Sequence, residues 1–175
     1  YLEAVEIFKK QKISVDRWNR TLNEAFGEIG HAYLHLEKYR ECLEWLQKAE
    51  KQKPYDTTGQ VDFDKAEVLV KMKKYKMAAK SARKAVKLDP GDGEYWLMLS
   101  YCLVMTDSRG VHKSTSLNVL RALSTAIFVM PDPETHKPMK SEVQTIGRYL
   151  KNIDDGRLVD SVIGLKKALE NIGLN

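Results

Sequence analysis

The sequence predicts an all-α solenoid, a stack of antiparallel helix hairpins with about nine helices, each touching only its neighbours. Three observations predict it. Apolar residues recur at helical spacing along nearly the whole chain. One pattern of aromatic, small and apolar positions returns at intervals of 34 to 36 residues. Turn residues and prolines fall between the periodic segments, where helices must stop.

Taken in order, residues 1–11 place Leu2, Val5 and Phe8 on one stripe, with Ala4 and Ile7 beside them and Glu and Lys opposite. This reads as the second helix of a partial repeat, so the chain is expected to be a piece of a longer protein. No signal peptide is visible, because these residues already form amphipathic helix. Ser14 or Asp16 can cap the next helix by accepting a free backbone N–H. That helix runs without a breaker to about Leu36 and carries Trp18, Leu22, Ala25, Phe26, Ile29, Tyr33 and Leu36 on one broad face. It opens repeat 1, residues 14–54. Within it the spacing Phe26-x2-Ile29-Gly30-x2-Tyr33 is followed by Tyr39, Cys42-x3-Leu46, Ala49 and Pro54. Gly30 and Ala32 leave room for a neighbouring helix, and Pro54 stops the second helix because it cannot continue the hydrogen-bond ladder.

A shift of 36 residues finds Tyr75, Ala78, Ala82, Ala85 and Pro90 in repeat 2, residues 57–90. Its first helix is polar, with Asp62, Lys65 and Ala66 where Phe26, Ile29 and Gly30 stood. A further 34 residues give Trp96, Leu99, Ser100 and Leu103 of repeat 3, residues 92–131. Its second-helix positions Val119, Leu123, Ala126 and Pro131 arrive seven residues late, so 107–113 reads as an inserted loop. Repeat 4, residues 139–173, is degenerate and serves as a C-terminal cap, with Val143, Ile146, Gly147 and Leu150 on its first helix. The expected core is Phe8, Trp18, Phe26, Ile29, Tyr33, Tyr39, Leu46, Leu69, Tyr75, Ala78, Trp96, Leu99, Leu103, Leu123, Ala126, Ile146 and Leu165.

The Phe26–Pro54 pattern resembles the tetratricopeptide repeat, aromatic-x2-Leu-Gly-x2-Tyr followed by Ala-x3-Phe, Ala and Pro. The resemblance covers nearly the whole chain, and residues 1–175 are expected to form a single domain. It implies a right-handed solenoid whose first helices line a concave groove for a peptide or helix of another protein. Carried over position by position, the implied groove residues are Glu24, His31 and His35 in repeat 1, and Phe63, Glu67 and Lys71 in repeat 2. Glu94, Leu97 and Tyr101 follow in repeat 3, with Gln144 and Arg148 in repeat 4. Phe63, Leu97, Tyr101 and Met105 are expected to be exposed apolar anchors there, or else to pack against the loop or the long first helix. Members of the family that grip acidic chaperone tails use a Lys and Asn clamp. The matching positions here carry Gly27, His31, Asp64, Glu94 and Met98, so that partner class is disfavoured.

The net charge of +5 is unevenly placed. Residues 57–130 hold twelve Lys and Arg against seven Asp and Glu, whereas the flanking segments are balanced. Lys73, Lys74, Lys76, Lys80, Arg83, Lys84 and Lys87, with Lys71 beside them, could meet a polyanion or nucleic acid, or form a solvated outer face. Only Tyr75 is aromatic there and the repeat uses it for packing, so base stacking is not provided for. His31 and His35 have the spacing of two metal ligands on one helix face, but no third ligand is evident, and no metal or cofactor is expected. No nucleophile elbow, phosphate loop or other catalytic constellation is present, so the sequence reads as non-enzymatic. Two cysteines, Cys42 and Cys102, are too few for a disulfide scaffold. No apolar run is long enough to cross a bilayer. The compartment is left open, with the cytoplasm as the default, and self-association through residues 1–11 is a further expectation.

Overall fold

The computed structural model describes residues 15–52, 58–107, 113–129 and 140–151, with single positions 163, 164 and 167. The expected helix at 1–11 with Phe8, the Trp18 side chain, Pro54, the interior of the 107–113 loop, the proline-bearing connection before residue 140 and Leu165 lie outside the described residues. Within them are seven helices and no strand: α1 (Val15–His35), α2 (Tyr39–Glu50), α3 (Gln60–Lys71), α4 (Tyr75–Leu88), α5 (Gly93–Thr106), α6 (Lys113–Val129) and α7 (Lys140–Lys151). At 21 residues, α1 is longer than the other first helices, α3 and α5.

Three hairpins follow from the packing, α1 with α2, α3 with α4 and α5 with α6. The two tight hairpin turns are alike. Each first helix ends on a residue in the left-handed region, Glu37 (φ 57°) and Lys73 (φ 58°). In the first turn Lys38 N–H donates to Tyr33 O and Glu37 N–H to Leu34 O; in the second, Lys74 donates to Leu69 and Lys73 to Val70. These bonds satisfy the carbonyls that a helix end leaves open. The two turns are 36 residues apart, so the repeat is a repeat of backbone hydrogen bonds as well as of side chains.

Along the stack α1 touches α3, α3 touches α5 and α5 touches α7, while the second helices share next to no direct contact. The first helices therefore form the tighter, inner row. α5 is the centre of the described stack and is buried nearly all round, through Tyr95, Leu97, Met98, Leu99, Cys102, Leu103 and Val104. Asp92 caps it, accepting from Glu94 N–H at 2.8 Å and from Tyr95 N–H at 3.3 Å.

Of the expected core, Leu46, Leu69, Ala78, Leu99, Leu103, Leu123, Ala126 and Ile146 are buried. Phe26, Tyr33, Tyr39 and Trp96 pack on that core half-buried. Buried Asn23 donates from Nδ2 to Ala49 O at 2.9 Å and ties α1 to the last turn of α2. One repeat on, Gly59 takes the same place with φ +79°, and a side chain there would press on Ala85 O at 2.9 Å.

The first hairpin is closest at Gly30, where an added Cβ would lie 2.7 Å from Leu46 Cδ2. Leu46 is fully buried and has nowhere to retreat. At Gly27, one turn earlier, the nearest atom would be Val61 Cγ2 at an ordinary 3.5 Å. Both glycines cost a helix about 1 kcal/mol relative to alanine. Gly27→Ala should recover most of that and raise the denaturation midpoint. Gly30→Ala should lower it, because overpacking costs about 1–3 kcal/mol. Denaturant melts of the two variants check the pair, and equal midpoints would contradict the placement of α1 on α2.

Candidate functional site

The inner row presents residues in columns set by the repeat. Glu24, Gln60 and Glu94 form one; His31, Glu67 and Tyr101 the next; His35, Lys71 and Met105 a third. Between α1 and α3 the row opens into a cleft of about 470 Å³. Asn23, Glu24, Gly27, Glu28 and His31 line it from α1, and Thr58, Gln60, Val61 and Asp64 from the start of α3. Two of the groove residues expected from sequence, Glu24 and His31, are thus brought together with a residue that was not among them, Asp64.

Asp64 is the buried group of the cleft, its side chain 2% exposed. Its Oδ1 accepts from Gln60 Nε2 at 2.7 Å, and its Oδ2 lies 3.4 Å from His31 Nδ1. Burial pushes its carboxyl up to about 6, against the opposing pull of the Gln60 hydrogen bond and the His31 charge, with Glu67 adding to the rise. His31 Nδ1 is itself buried and makes no hydrogen bond. The other ring nitrogen, Nε2, is 3.0 Å from His35 Nε2, and the two rings meet edge to face. Among the described residues no group of three or more His, Cys, Asp or Glu has metal-site geometry.

Further along the inner row, Glu67 and Glu94 are half-buried, and Lys71 is exposed at the end of α3. Burial, then Asp92 and Glu67, raise the Glu94 carboxyl. Tyr101 is half-buried and sits edge-on to Tyr75, ring centroids 6.3 Å apart. Gln144 and Arg148 are exposed on α7, where Arg148 Nη2 donates to Thr145 Oγ1 at 3.1 Å.

Two expected groove anchors are corrected. Phe63 and Leu97 are core residues, 9% and 2% exposed. Their column is the seam between successive first helices. Gly27 faces Val61 in the first seam, and Phe63 stacks on Tyr95 in the second, with centroids 4.9 Å apart. A fixed shift from Gly27 carried a small residue's position onto large ones, and the large ones fill the seam.

The basic residues do not form one stripe. Lys73, Lys74 and Lys76 surround a shallow depression with Tyr75, Met77, Met105 and Thr106. Lys80 and Lys87 are exposed on α4. Arg83 lines a separate depression with Trp96 and Arg121. Lys84 is drawn into ion pairs, with Glu50 at 2.7 Å and Asp62 at 3.6 Å. Glu50 also binds Lys65 at 2.5 Å. This network explains the polar first helix of repeat 2. Asp62, 1% exposed, and Lys65 stand where repeat 1 has Phe26 and Ile29; Lys65 and Lys84 join the second hairpin to Glu50 at the end of α2, and Asp62 pairs with Lys84 within that hairpin. Burial would raise the Glu50 carboxyl, but its two lysine partners outweigh that and hold it down to about 2.

The cysteines are buried and free, and burial pushes both thiols up to about 12. No helix among the described residues is long and apolar enough to cross a membrane.

A tetratricopeptide repeat model matches residues 24–56 and again residues 63–92. Solved structures give the same fold. One titled "MamA RS-1 ArsTM double mutant" superposes with a TM-score of 0.63 at 18% identity, covering 86% of this chain and 75% of that one. MamA 41-end from Desulfovibrio magneticus RS-1 gives 0.60 at 18% identity, over 86% and 73%. YrrB, titled "a TPR protein with an unusual peptide-binding site", gives 0.57 at 20% identity, over 85% and 73%. No curated protein sequence matches the chain.

Two carboxyls should give stability opposite pH dependences. Asp64 titrates near 6 folded against 3.8 unfolded, so it holds its proton more tightly when folded. The folded state gains as pH falls from about 6 towards 4. Glu50 titrates near 2 folded against 4.5 unfolded, so its contribution is full above 4.5 and is lost as pH falls towards 2. Denaturant midpoints of wild type and Asp64→Asn, compared across this range, should differ least at the acid end. The acid loss should persist in the variant. A difference that stays constant with pH would contradict the burial of Asp64.

Proposed function

We propose that this chain is a non-catalytic scaffold that binds another protein along its inner helix row, because a tetratricopeptide repeat model matches residues 24–56 and 63–92 and its fold is that of solved tetratricopeptide repeat structures. The reading is supported by the open cleft between α1 and α3, with partly exposed Glu67, Glu94 and Tyr101 on the same row of helices. Its polar and charged side chains are of the kind that a peptide or helix uses for orientation. The likeness to a repeat protein titled for its peptide-binding site supports the reading. The proposal treats residues 1–175 as one continuous stack with a degenerate last repeat.

The triple variant Glu67→Lys, Lys71→Glu, Tyr101→Ala should keep the helical spectrum and lose the partner. Affinity capture from the native source with parent and variant compares the two. A partner retained equally by both would defeat the groove reading.

The second reading is polyanion binding, favoured by the depression that Lys73, Lys74 and Lys76 surround. Generic oligonucleotides titrated at low salt should then bind, with affinity falling steeply as salt rises. Absence of binding at low salt ends this reading.

A further inference from the structure

The protein is basic overall, yet the face proposed to bind is acidic. Glu24, Glu28, Asp64, Glu67 and Glu94 lie on α1, α3 and α5 along the inner row. Among the described residues none of these five carboxylates pairs with a lysine or arginine. They feel one another, since Glu67 acts on Asp64 within α3 and on Glu94 across to α5. Lys71 stays on that row, exposed at the end of α3, but the other lysines near these carboxylates are paired or lie elsewhere. Lys65 and Lys84 pair with Glu50, and Lys73, Lys74, Lys76 and Lys80 lie on the turn and helix of the outer row.

A second observation marks where a cation would sit. Asp64 is buried at the cleft with one neutral donor, Gln60, and a histidine at 3.4 Å. The buried His31 Nδ1 beside it has no hydrogen-bond partner. The cleft volume of about 470 Å³ is far more than a water needs. A buried carboxylate without a fixed cation costs free energy, and an incoming ammonium or guanidinium would offset that cost.

Resting on the groove reading above, we propose that the partner segment is basic, with a lysine or arginine seated in the α1–α3 cleft against Asp64. Glu24 and Glu28 at the cleft rim take the remaining donors of that side chain. Glu67 and Glu94 meet further basic residues of the same segment as it crosses α3 and α5. The segment belongs to a separate protein, and charge complementarity selects it more than apolar anchoring does, because Phe63 and Leu97 are withdrawn into the core.

Two libraries of short synthetic peptides test this on the full chain, one with Lys and Arg at the varied positions and one with Asp and Glu. The basic library should be enriched. A selected basic peptide should lose about tenfold in affinity for Asp64→Asn, and as much for the double variant Glu67→Gln, Glu94→Gln. The double variant changes only half-buried side chains, so it keeps the test valid if Asp64→Asn perturbs folding. If acidic or neutral peptides are selected and they still depend on Tyr101 and Lys71, the groove stands and the basic partner falls. Basic peptides that ignore both variants would show general charge attraction, which overturns the inference. If neither library binds, the groove reading fails and this inference with it. Concentration-dependent self-association abolished by the same variants would make the occupant a second copy of this chain and overturn the separate partner.

Discussion

At Gly30 the two helices of the first hairpin stand so near that an added methyl group would lie 2.7 Å from Leu46 Cδ2. The equivalent positions one repeat later are Ala66 and Ala82, and in the third repeat Ser100 and Leu123, and all of them are fully buried. A very small residue faces a leucine in the first hairpin, and two alanines share the load in the second. Close packing admits few other solutions at this spacing. From that approach follows the rest. The paired helices act as one layer, the first helices of successive layers touch, and the second helices fan outward. The inner face is consequently a continuous surface, and the cleft opens where α1 and α3 part at its start.

Between the first two hairpins the chain departs from apolar packing. The sites of Phe26 and Ile29 are taken in the second repeat by Asp62 and Lys65, and Glu50 gathers Lys65 and Lys84 around itself. Replacing a buried ionic group by an apolar one is often neutral or stabilising, so this network is not needed for stability as such. Its consequence is register. Glu50 is reached from both helices of the next hairpin, and only one rotation of that hairpin satisfies both lysines. It also consumes Lys65, a cation on an inner-row helix.

The period was legible because each repeat needs the same small, large and turn residues at the same steps. Glu37 and Lys73 show how far this goes, since neither is glycine and the backbone still takes the left-handed turn 36 residues apart. The groove was legible only in part. Column assignment by fixed shift placed Glu24, His31 and Glu67 on the inner face, but put Phe63 and Leu97 there too. The seam between first helices lies one helical step from the groove, and Gly27, having no side chain, does not reveal which of the two it faces. Asp64 was seen in sequence only as a charge that excludes a carboxylate ligand. Its burial depends on Gln60 and His31 closing over it, a tertiary fact that no spacing encodes. Asn23 was missed for the same reason, because its partner is a backbone carbonyl 26 residues away.

Charge and shape converge on one face. A protein of net charge +5 nonetheless places Glu24, Glu28, Asp64, Glu67 and Glu94 along its inner helices, none of them paired with a lysine or arginine among the described residues. Folding does not require this, because exposed carboxylates on neighbouring helices repel one another and an interspersed surface would relieve them. The cost is small for each exposed group, which water and salt screen. It is larger at Asp64, which is buried with the Gln60 amide and the His31 ring beside it and pairs with no lysine or arginine among the described residues. Sequence changes that relieve it are simple, since asparagine is nearly isosteric and Gln60 could still donate to its carbonyl oxygen. A buried carboxyl at the floor of an open cleft, with one amide donor and a histidine at 3.4 Å, is therefore the place where the proposed basic side chain would gain most. The same carboxyl sets the sign of that proposed partner residue.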